Sequence, residues 1–124
     1  MDTKKVIFKT DKKNIEIVCE VAKTITQKLN GLMYKEKLEE NKGMFFSFTF
    51  PWYRFFWMKD VKIPLDIIFV NSKNKIIKIH EAPVEKGIFY KNYSSRGLCK
   101  YVIETNIGFC KKNNIKENDS IEIV

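Results

Sequence analysis

Apolar and polar residues alternate along several short stretches of the chain, with the two-residue period of a half-buried β-strand. The clearest stretches are residues 15–21 and 44–50, in which every second position is apolar and faces one side. A segment of turn-forming residues, 11–14, separates the first of these from a strand predicted over residues 4–10. The pattern therefore predicts an N-terminal β-hairpin and at least one further strand.

Residues 43–70 form the densest apolar part of the chain, hold both tryptophans and are predicted to form the core. Within them, residues 65–70 are apolar on both faces except at Asp66, which is the pattern of a central strand. A polar turn at residues 71–74 leads into residues 75–82. We therefore predict that 65–70 and 75–82 pair as an antiparallel hairpin.

Two segments have a helical pattern. Residues 24–34 begin with a possible capping box and then place their apolar residues on one helical face. Near the C-terminus, Asn106 can cap a short helix over residues 107–113. Residues 83–98 have little pattern and predict a long surface connection.

Strands are also predicted over residues 101–105 and 120–124. The length of 124 residues, without repeats or low-complexity segments, fits a single domain over residues 1–124. The predicted fold class is mainly β (α+β). We expect a compact antiparallel β-sandwich or open barrel, with the short helix of residues 24–34 packed over one opening.

The chain is basic, with 23 Lys and Arg against 15 Asp and Glu and a net charge of +8. Nearly all of the basic residues are lysines, which bind phosphates and bases less specifically than arginines because they lack a planar fork of donors. They are also scattered along the chain. The composition favours a solvated basic surface, and a nucleic-acid-binding surface is the alternative.

The three cysteines, Cys19, Cys99 and Cys110, are widely spaced and contain no CxxC pair, which predicts free thiols. The first residues lack the apolar core of a signal peptide, and no apolar run has the length of a membrane span. We therefore expect a cytoplasmic protein without a membrane partner.

Asp66 is the strongest candidate for chemistry, because its neighbours in the predicted strand leave it no wet face. A buried carboxylate is costly unless it is paired or accepts hydrogen bonds. In the structural interpretation, which the sequence slightly favours, Asp66 bonds the backbone of a bend near residues 59–63. In the functional interpretation it is a ligand-binding or acid–base carboxylate with a raised pKa.

Glu104 is the second candidate, because two neighbouring carboxylates can share a proton and act as acid and base. The alternative is that Glu104 is solvated or paired with a lysine. The single histidine, His80, has no second histidine or cysteine at ligand spacing. The sequence therefore predicts neither a metal site nor a cofactor.

Five motifs occur in a characteristic order along the chain. They are GLM at 31–33, GMFFSF at 43–48, FWMK at 56–59, IPLDIIF at 63–69 and YVIETNIG at 101–108. Together they resemble the bacterial and archaeal family catalogued as domain of unknown function 192, over residues 16–123. The resemblance implies a compact, mainly β domain with one helix and with interior polar residues that form a binding site. It implies no established activity.

We therefore predict a binding or accessory module for a small polar or anionic ligand. The predicted interior polar residues and the side chains walling them are Lys59, Asp66, Glu104, Asn106, Trp57 and Met58. A hydrolase that uses Asp66 and Glu104 as acid and base is the runner-up. Nucleic-acid binding driven by lysine is the third possibility, and its mark would be steeply salt-dependent affinity.

Overall fold

The computed structural model describes residues 2–23, 32 and 35–124. The helix predicted over residues 24–34 lies outside the described residues, apart from Leu32, which is buried. The described part of the chain is mainly β, as predicted.

The elements are named in chain order. They are β1 (Thr3–Lys9), β2 (Asn14–Ala22), β3 (Lys42–Trp52), β4 (Phe55–Phe56), β5 (Leu65–Val70), β6 (Ile76–Ala82), β7 (Tyr93–Ser94), β8 (Cys99–Asn106), α1 (Phe109–Lys112) and β9 (Ser120–Ile123).

Seven of these strands form one mixed sheet in the order β6-β5-β8-β3-β2-β1-β9, and β4 pairs separately with β7. Neighbouring strands are antiparallel except β2 and β3, which run parallel from the pair Val18 and Lys42 to the pair Ala22 and Phe46. The prediction of a wholly antiparallel sheet is wrong at this pair. The connection from β2 to β3 is long enough for the chain to return to the same end of the sheet.

The two edges of the sheet meet at one corner, through a bridge between Lys75 and Ser120. There the Ile76 amide donates to the Asp119 carbonyl at 2.9 Å, and the Ile121 amide donates to the Asn74 carbonyl at 2.9 Å. The sheet is thus strongly curled, but its edge strands β6 and β9 do not pair along their length and no closed barrel forms.

The predicted hairpin of β5 and β6 is confirmed, with antiparallel register from Leu65 and Ala82 to Val70 and Ile76. The side chain of Asn71 fixes the turn, because its Oδ1 accepts the amides of Lys73 and Lys75 at 2.9 and 3.0 Å. The N-terminal hairpin of β1 and β2 is also confirmed.

Strand β5 is central, as predicted, because it pairs with β6 on one edge and β8 on the other, and all six of its residues are buried. Alternate residues of β5 enter two separate core clusters. Ile68 and Val70 pack in one, and Ile67 and Phe69 pack in the other. The sheet is therefore covered on both faces at β5.

The prediction that residues 43–70 form the core holds for the two ends of that stretch and for Met58 in its middle. The other large apolar residues of the middle are mostly exposed, namely Phe50, Trp52, Tyr53, Phe55 and Trp57. The cause is a register shift between β3 and β8 from Ser47 to Trp52. Beyond this shift, β3 leaves the core face.

The C-terminal helix is shorter than predicted, and Asn106 does not cap it. Asn106 ends β8, and the N-cap of α1 is Gly108, whose φ of 88° lies in the left-handed region that glycine tolerates. The three cysteines are buried and unpaired, as predicted. Within the described residues, no helix has the length and apolar character needed to cross a membrane.

Candidate functional site

Asp66 lies near the start of β5 and is only 1% exposed. Its Oδ2 accepts a hydrogen bond from the Cys110 amide at 2.9 Å, and its Oδ1 accepts one from the Gly108 amide at 3.3 Å. The amides at the start of a helix have no partner within the helix. Asp66 therefore ties the central strand to the beginning of α1.

These contacts decide between the two structural expectations for Asp66. The carboxylate does not bond the bend at residues 59–63, so that interpretation is wrong. The prediction that it is buried and accepts hydrogen bonds from backbone near Asn106 is confirmed. Because Asp66 occupies these amides, they are not available to an anionic ligand.

Burial raises the pKa of Asp66 above its ordinary value, and the nearby carboxylate of Glu81 acts in the same direction. The amides of Cys110 and Gly108 act against this rise, because they stabilise the ionised form. Burial is the larger effect.

Glu104 lies on β8 between Met44 of β3 and Ile67 of β5, and it is 5% exposed. Among the described residues, none donates a hydrogen bond to its carboxyl group or forms an ion pair with it. Glu104 is therefore not solvated, and no described lysine forms an ion pair with it. Burial raises the pKa of Glu104 to about 8, so the group is mostly uncharged at neutral pH.

The two carboxyl groups lie on opposite faces of the sheet. Asp66 stands directly opposite Thr105 in the ladder, and Glu104 precedes Thr105, so its side chain points to the other face. The core clusters agree with this placement. Cys110, which donates to Asp66, belongs to one cluster, and Met44, the ladder neighbour of Glu104, belongs to the other. The structure therefore does not bring Asp66 and Glu104 together as an acid–base pair.

A cleft of about 330 Å³ opens beside Met44, the neighbour of Glu104 in the ladder. Its lining residues are Thr3, Val18, Glu20, Leu32, Lys35, Lys37, Leu38, Glu39, Lys42, Gly43 and Met44. Gly43 allows a close approach of β3 to β8 here, because a Cβ atom at this position would lie 2.8 Å from the Glu104 carbonyl oxygen. The cleft has apolar walls and a charged rim.

Asn106 belongs to the same side of the sheet as Glu104, two residues further along β8. Its Nδ2 donates to the Leu38 carbonyl at 2.7 Å, which fixes one wall of the cleft against β8. Of the predicted site residues, the structure thus groups Glu104 and Asn106.

The other predicted residues lie apart from this pair. Lys59 is exposed and lies over the Trp57 ring, with its Nζ 5.4 Å from the ring centroid. Trp57 is half exposed, whereas Met58 is fully buried in the core. Neither Lys59 nor Trp57 donates to Asp66, whose donors are the amides of Gly108 and Cys110 and the thiol of Cys110.

His80 packs between the rings of Phe69 and Tyr93, and its Nε2 donates to the Ser94 carbonyl at 2.7 Å. Burial lowers the pKa of His80, which favours the neutral ring. In the part of the chain that the structure describes, no group of three His, Cys, Asp or Glu residues is placed to hold a metal ion.

The lysines on the rim of the cleft were not identified as site residues from the sequence. Residues 35–42 predict only an exposed charged connection. The signal present was Leu38, a single apolar residue inside this charged run, which packs against the core.

The fold and the buried carboxyl groups define a small, mainly β domain with a polar interior. The family model DUF192, described as "Uncharacterized ACR, COG1430", matches residues 6–123. The chain belongs to this family, and the resemblance identified from the sequence is confirmed.

Two solved structures are similar over almost the whole chain. A protein of Sinorhizobium meliloti 1021, provisionally assigned as a transcription regulator, is 29% identical with a TM-score of 0.91, and the match covers 98% of this chain and 94% of that one. A protein of unknown function from Novosphingobium aromaticivorans DSM 12444 is 29% identical with a TM-score of 0.86, over 95% and 83% of the two chains. No curated protein matches the chain.

Replacement of Asp66 by alanine is expected to lower the free energy of unfolding by about 1–3 kcal/mol, because the amides of Gly108 and Cys110 would lose their buried acceptor. Asp66→Asn keeps one acceptor oxygen and should lose less. The exposed Asp11→Ala is the matched control, with a change within about 0.5 kcal/mol. Urea unfolding of the four proteins checks this, and equal losses for Asp66→Ala and Asp11→Ala would refute it.

The raised pKa of Glu104 predicts that stability falls with rising pH. The unfolded chain ionises near the ordinary value of 4.5, whereas the folded chain keeps the proton until about pH 8. The contribution of Glu104 to the free energy of unfolding is thus fully present below about pH 4.5. It is lost progressively up to about pH 8, by about 1.4 kcal/mol for each pH unit.

The variant Glu104→Gln cannot ionise, so its unfolding free energy should lack this fall. It should resemble the parent protein near pH 5 and be the more stable of the two near pH 9. Urea unfolding across the pH range measures both curves. Parallel curves would show that Glu104 ionises normally in the folded state.

Proposed function

We propose that this domain is a binding module for a small polar or anionic ligand, with Glu104 and the adjacent cleft as its site. The observation that carries the proposal is the burial of the Glu104 carboxyl group, which is 5% exposed and whose pKa is raised by that burial. Buried polar groups are hydrogen-bonded as a rule. Glu104 does not itself line the cleft, but its ladder neighbour Met44 does, so a ligand that enters past Met44 would reach the carboxyl group.

The charges around the cleft support an anionic group on the ligand. Its lining holds three lysines and two glutamates, and one of the lysines, Lys35, pairs with Glu20 at 3.6 Å. A protonated Glu104 adds no negative charge, and it can donate one hydrogen bond as well as accept others. A ligand oxygen is a suitable partner for such a group.

A hydrolase that uses Asp66 and Glu104 as acid and base has less support. The two carboxyl groups lie on opposite faces of the sheet, and both oxygens of Asp66 are engaged with the backbone. A shared proton needs two carboxyl groups close together. A binding site needs only one polar group in a cleft.

Nucleic-acid binding driven by lysine also has less support as the function of this site. Nine ion pairs among the described residues each include a lysine, and they are spread over the whole surface. The provisional assignment of the Sinorhizobium protein as a transcription regulator is compatible with a domain that senses a small ligand.

Three further expectations belong to this proposal. We infer that residues 1–124 act as one domain, and that the curled sheet forms an open barrel, which the bridge between its edges supports. We also infer a cytoplasmic location, in keeping with three buried, unpaired cysteines.

A thermal-shift screen of small polar and anionic metabolites tests the proposal, because a ligand of the folded state raises the apparent melting temperature. At least one compound should stabilise the protein. Its affinity should fall by about tenfold in Glu104→Leu and in Lys42→Gln, which is the cost of one charge-assisted or buried hydrogen bond.

Matched controls are Glu122→Leu on the exposed side of β9 and Lys12→Gln in the turn after β1, both remote from the cleft lining. These variants should bind the compound as the parent protein does. A screen without a stabilising compound, or a compound that binds all four variants equally, would contradict the assignment of the site.

A further inference from the structure

The described surface carries an unusual concentration of exposed apolar side chains in two segments, residues 50–60 and 83–100, which we call the aromatic ribbon. Of the eleven large apolar residues that are exposed in the described part of the chain, nine lie in this ribbon. They are Phe50, Trp52, Tyr53, Phe55, Trp57, Val84, Ile88, Phe89 and Leu98. Contiguous exposed apolar surface of this kind marks an interaction site.

The two segments of the ribbon lie side by side, in opposite directions. Trp52 pairs with Cys99 at the end of β3, and Phe55 pairs with Ser94 where β4 meets β7. Further along, the rings of Trp57 and Tyr90 are in edge contact, with centroids 5.9 Å apart. The two segments therefore form one paired stretch of the surface.

Backbone contacts hold the ribbon in shape. The Ser95 amide donates to the Arg54 carbonyl at 2.9 Å, and the Arg54 amide donates to the Ser95 Oγ at 3.0 Å. The guanidinium of Arg54 also stacks on the Phe48 ring at 4.0 Å. Since the backbone is fixed in this way, the apolar side chains are held outward and do not collapse onto the core.

The charge of the ribbon is strongly positive. Its two segments contain six lysines and arginines against two acidic residues, so they carry half of the net charge of +8. Lys59 and Lys91 lie beside the aromatic rings of Trp57 and Tyr93, at 5.4 and 5.1 Å from the ring centroids. Cationic and apolar side chains are thus interleaved on one surface.

We propose that the aromatic ribbon docks on the surface of an anionic lipid bilayer. Tryptophan, tyrosine and phenylalanine enter the headgroup region of a bilayer, and lysines add attraction to acidic lipids. The two most exposed apolar residues, Ile88 and Phe89, are 83% and 86% exposed and follow Gly87, so they form the inserting tip. This docking is independent of the Glu104 site and replaces the expectation of no membrane partner.

The composition of the ribbon favours lipid over single-stranded nucleic acid. A strand of nucleic acid stacks its bases on flat aromatic faces. Val84, Ile88 and Leu98 offer no such face, although they are among the exposed residues. Aliphatic side chains do contribute to burial in a bilayer.

Vesicle binding tests the proposal, with phosphatidylcholine vesicles that contain or lack phosphatidylglycerol. Trp52 and Trp57 are the only tryptophans of the chain and both lie in the ribbon, so their fluorescence reports directly on it. Vesicles with phosphatidylglycerol should sediment the protein and shift its emission to the blue, and added salt should weaken this binding. Neutral vesicles should bind much less.

The variant with Ile88→Ser and Phe89→Ser should lose about tenfold or more of its partition into the anionic vesicles, because two large apolar side chains no longer enter the bilayer. Val124→Ser is the matched control, since Val124 is 60% exposed but lies outside the ribbon, and it should bind normally. All three substitutions are on the surface and should leave the fold intact.

The other possible occupants give distinct results. A fluorescence change with a single-stranded oligonucleotide but not with vesicles would overturn the proposal in favour of nucleic acid. A dimer in sedimentation velocity that the double variant abolishes, without vesicle binding, would assign the ribbon to a second copy of the chain. Absent or variant-independent binding to anionic vesicles would also refute the proposal.

Discussion

Strand β8 is bonded on both edges, by β5 and β3, and is covered on both faces where these strands meet. Its position is the constraint on which the rest of the structure depends. Ionised groups near its centre would lie in a medium of low dielectric, where an unpaired charge is costly. Yet the chain places one carboxyl group beside each face, Asp66 from β5 and Glu104 from β8 itself.

The protein accommodates these two groups in different ways. Asp66 receives two backbone amides from the turn that follows β8, so its acceptor capacity is used to join the sheet to α1. Glu104 has apolar neighbours in the ladder, and burial raises its pKa to about 8, so it keeps its proton at neutral pH. The first arrangement joins two elements of the fold, and the second keeps a carboxyl group uncharged by burial. For this reason we propose a binding site at Glu104 and not at Asp66.

Local sequence patterns were sufficient to predict part of this fold. The hairpin of β5 and β6 follows from a polar turn between two apolar runs, and the burial of Asp66 follows from its neighbours in the strand. The parallel pairing of β2 and β3 depends on how a long connection returns, which no local pattern encodes. Local patterns also do not encode that Asp66 and Glu104 lie on opposite faces of the sheet, because the register between β5 and β8 determines these faces.

The exposed aromatic ribbon shows a second limit of sequence reasoning. Phe50 and Trp52 continue the alternation of β3, and the same pattern is typical of a core strand. Only the shift in register against β8 takes them out of the core. Asn106 is a comparable case. The sequence predicts it as a helix cap, whereas its side chain donates a hydrogen bond to the Leu38 carbonyl.

The proposed binding site depends most on the protonation of Glu104 in the folded protein. Carbon-13 NMR of the side-chain carboxyl groups, recorded across a pH titration, measures this directly, and Glu104→Gln identifies the resonance. We expect one glutamate to titrate near pH 8, far from the ordinary value of 4.5. A Glu104 resonance that titrates with the exposed glutamates near 4.5 would contradict the account.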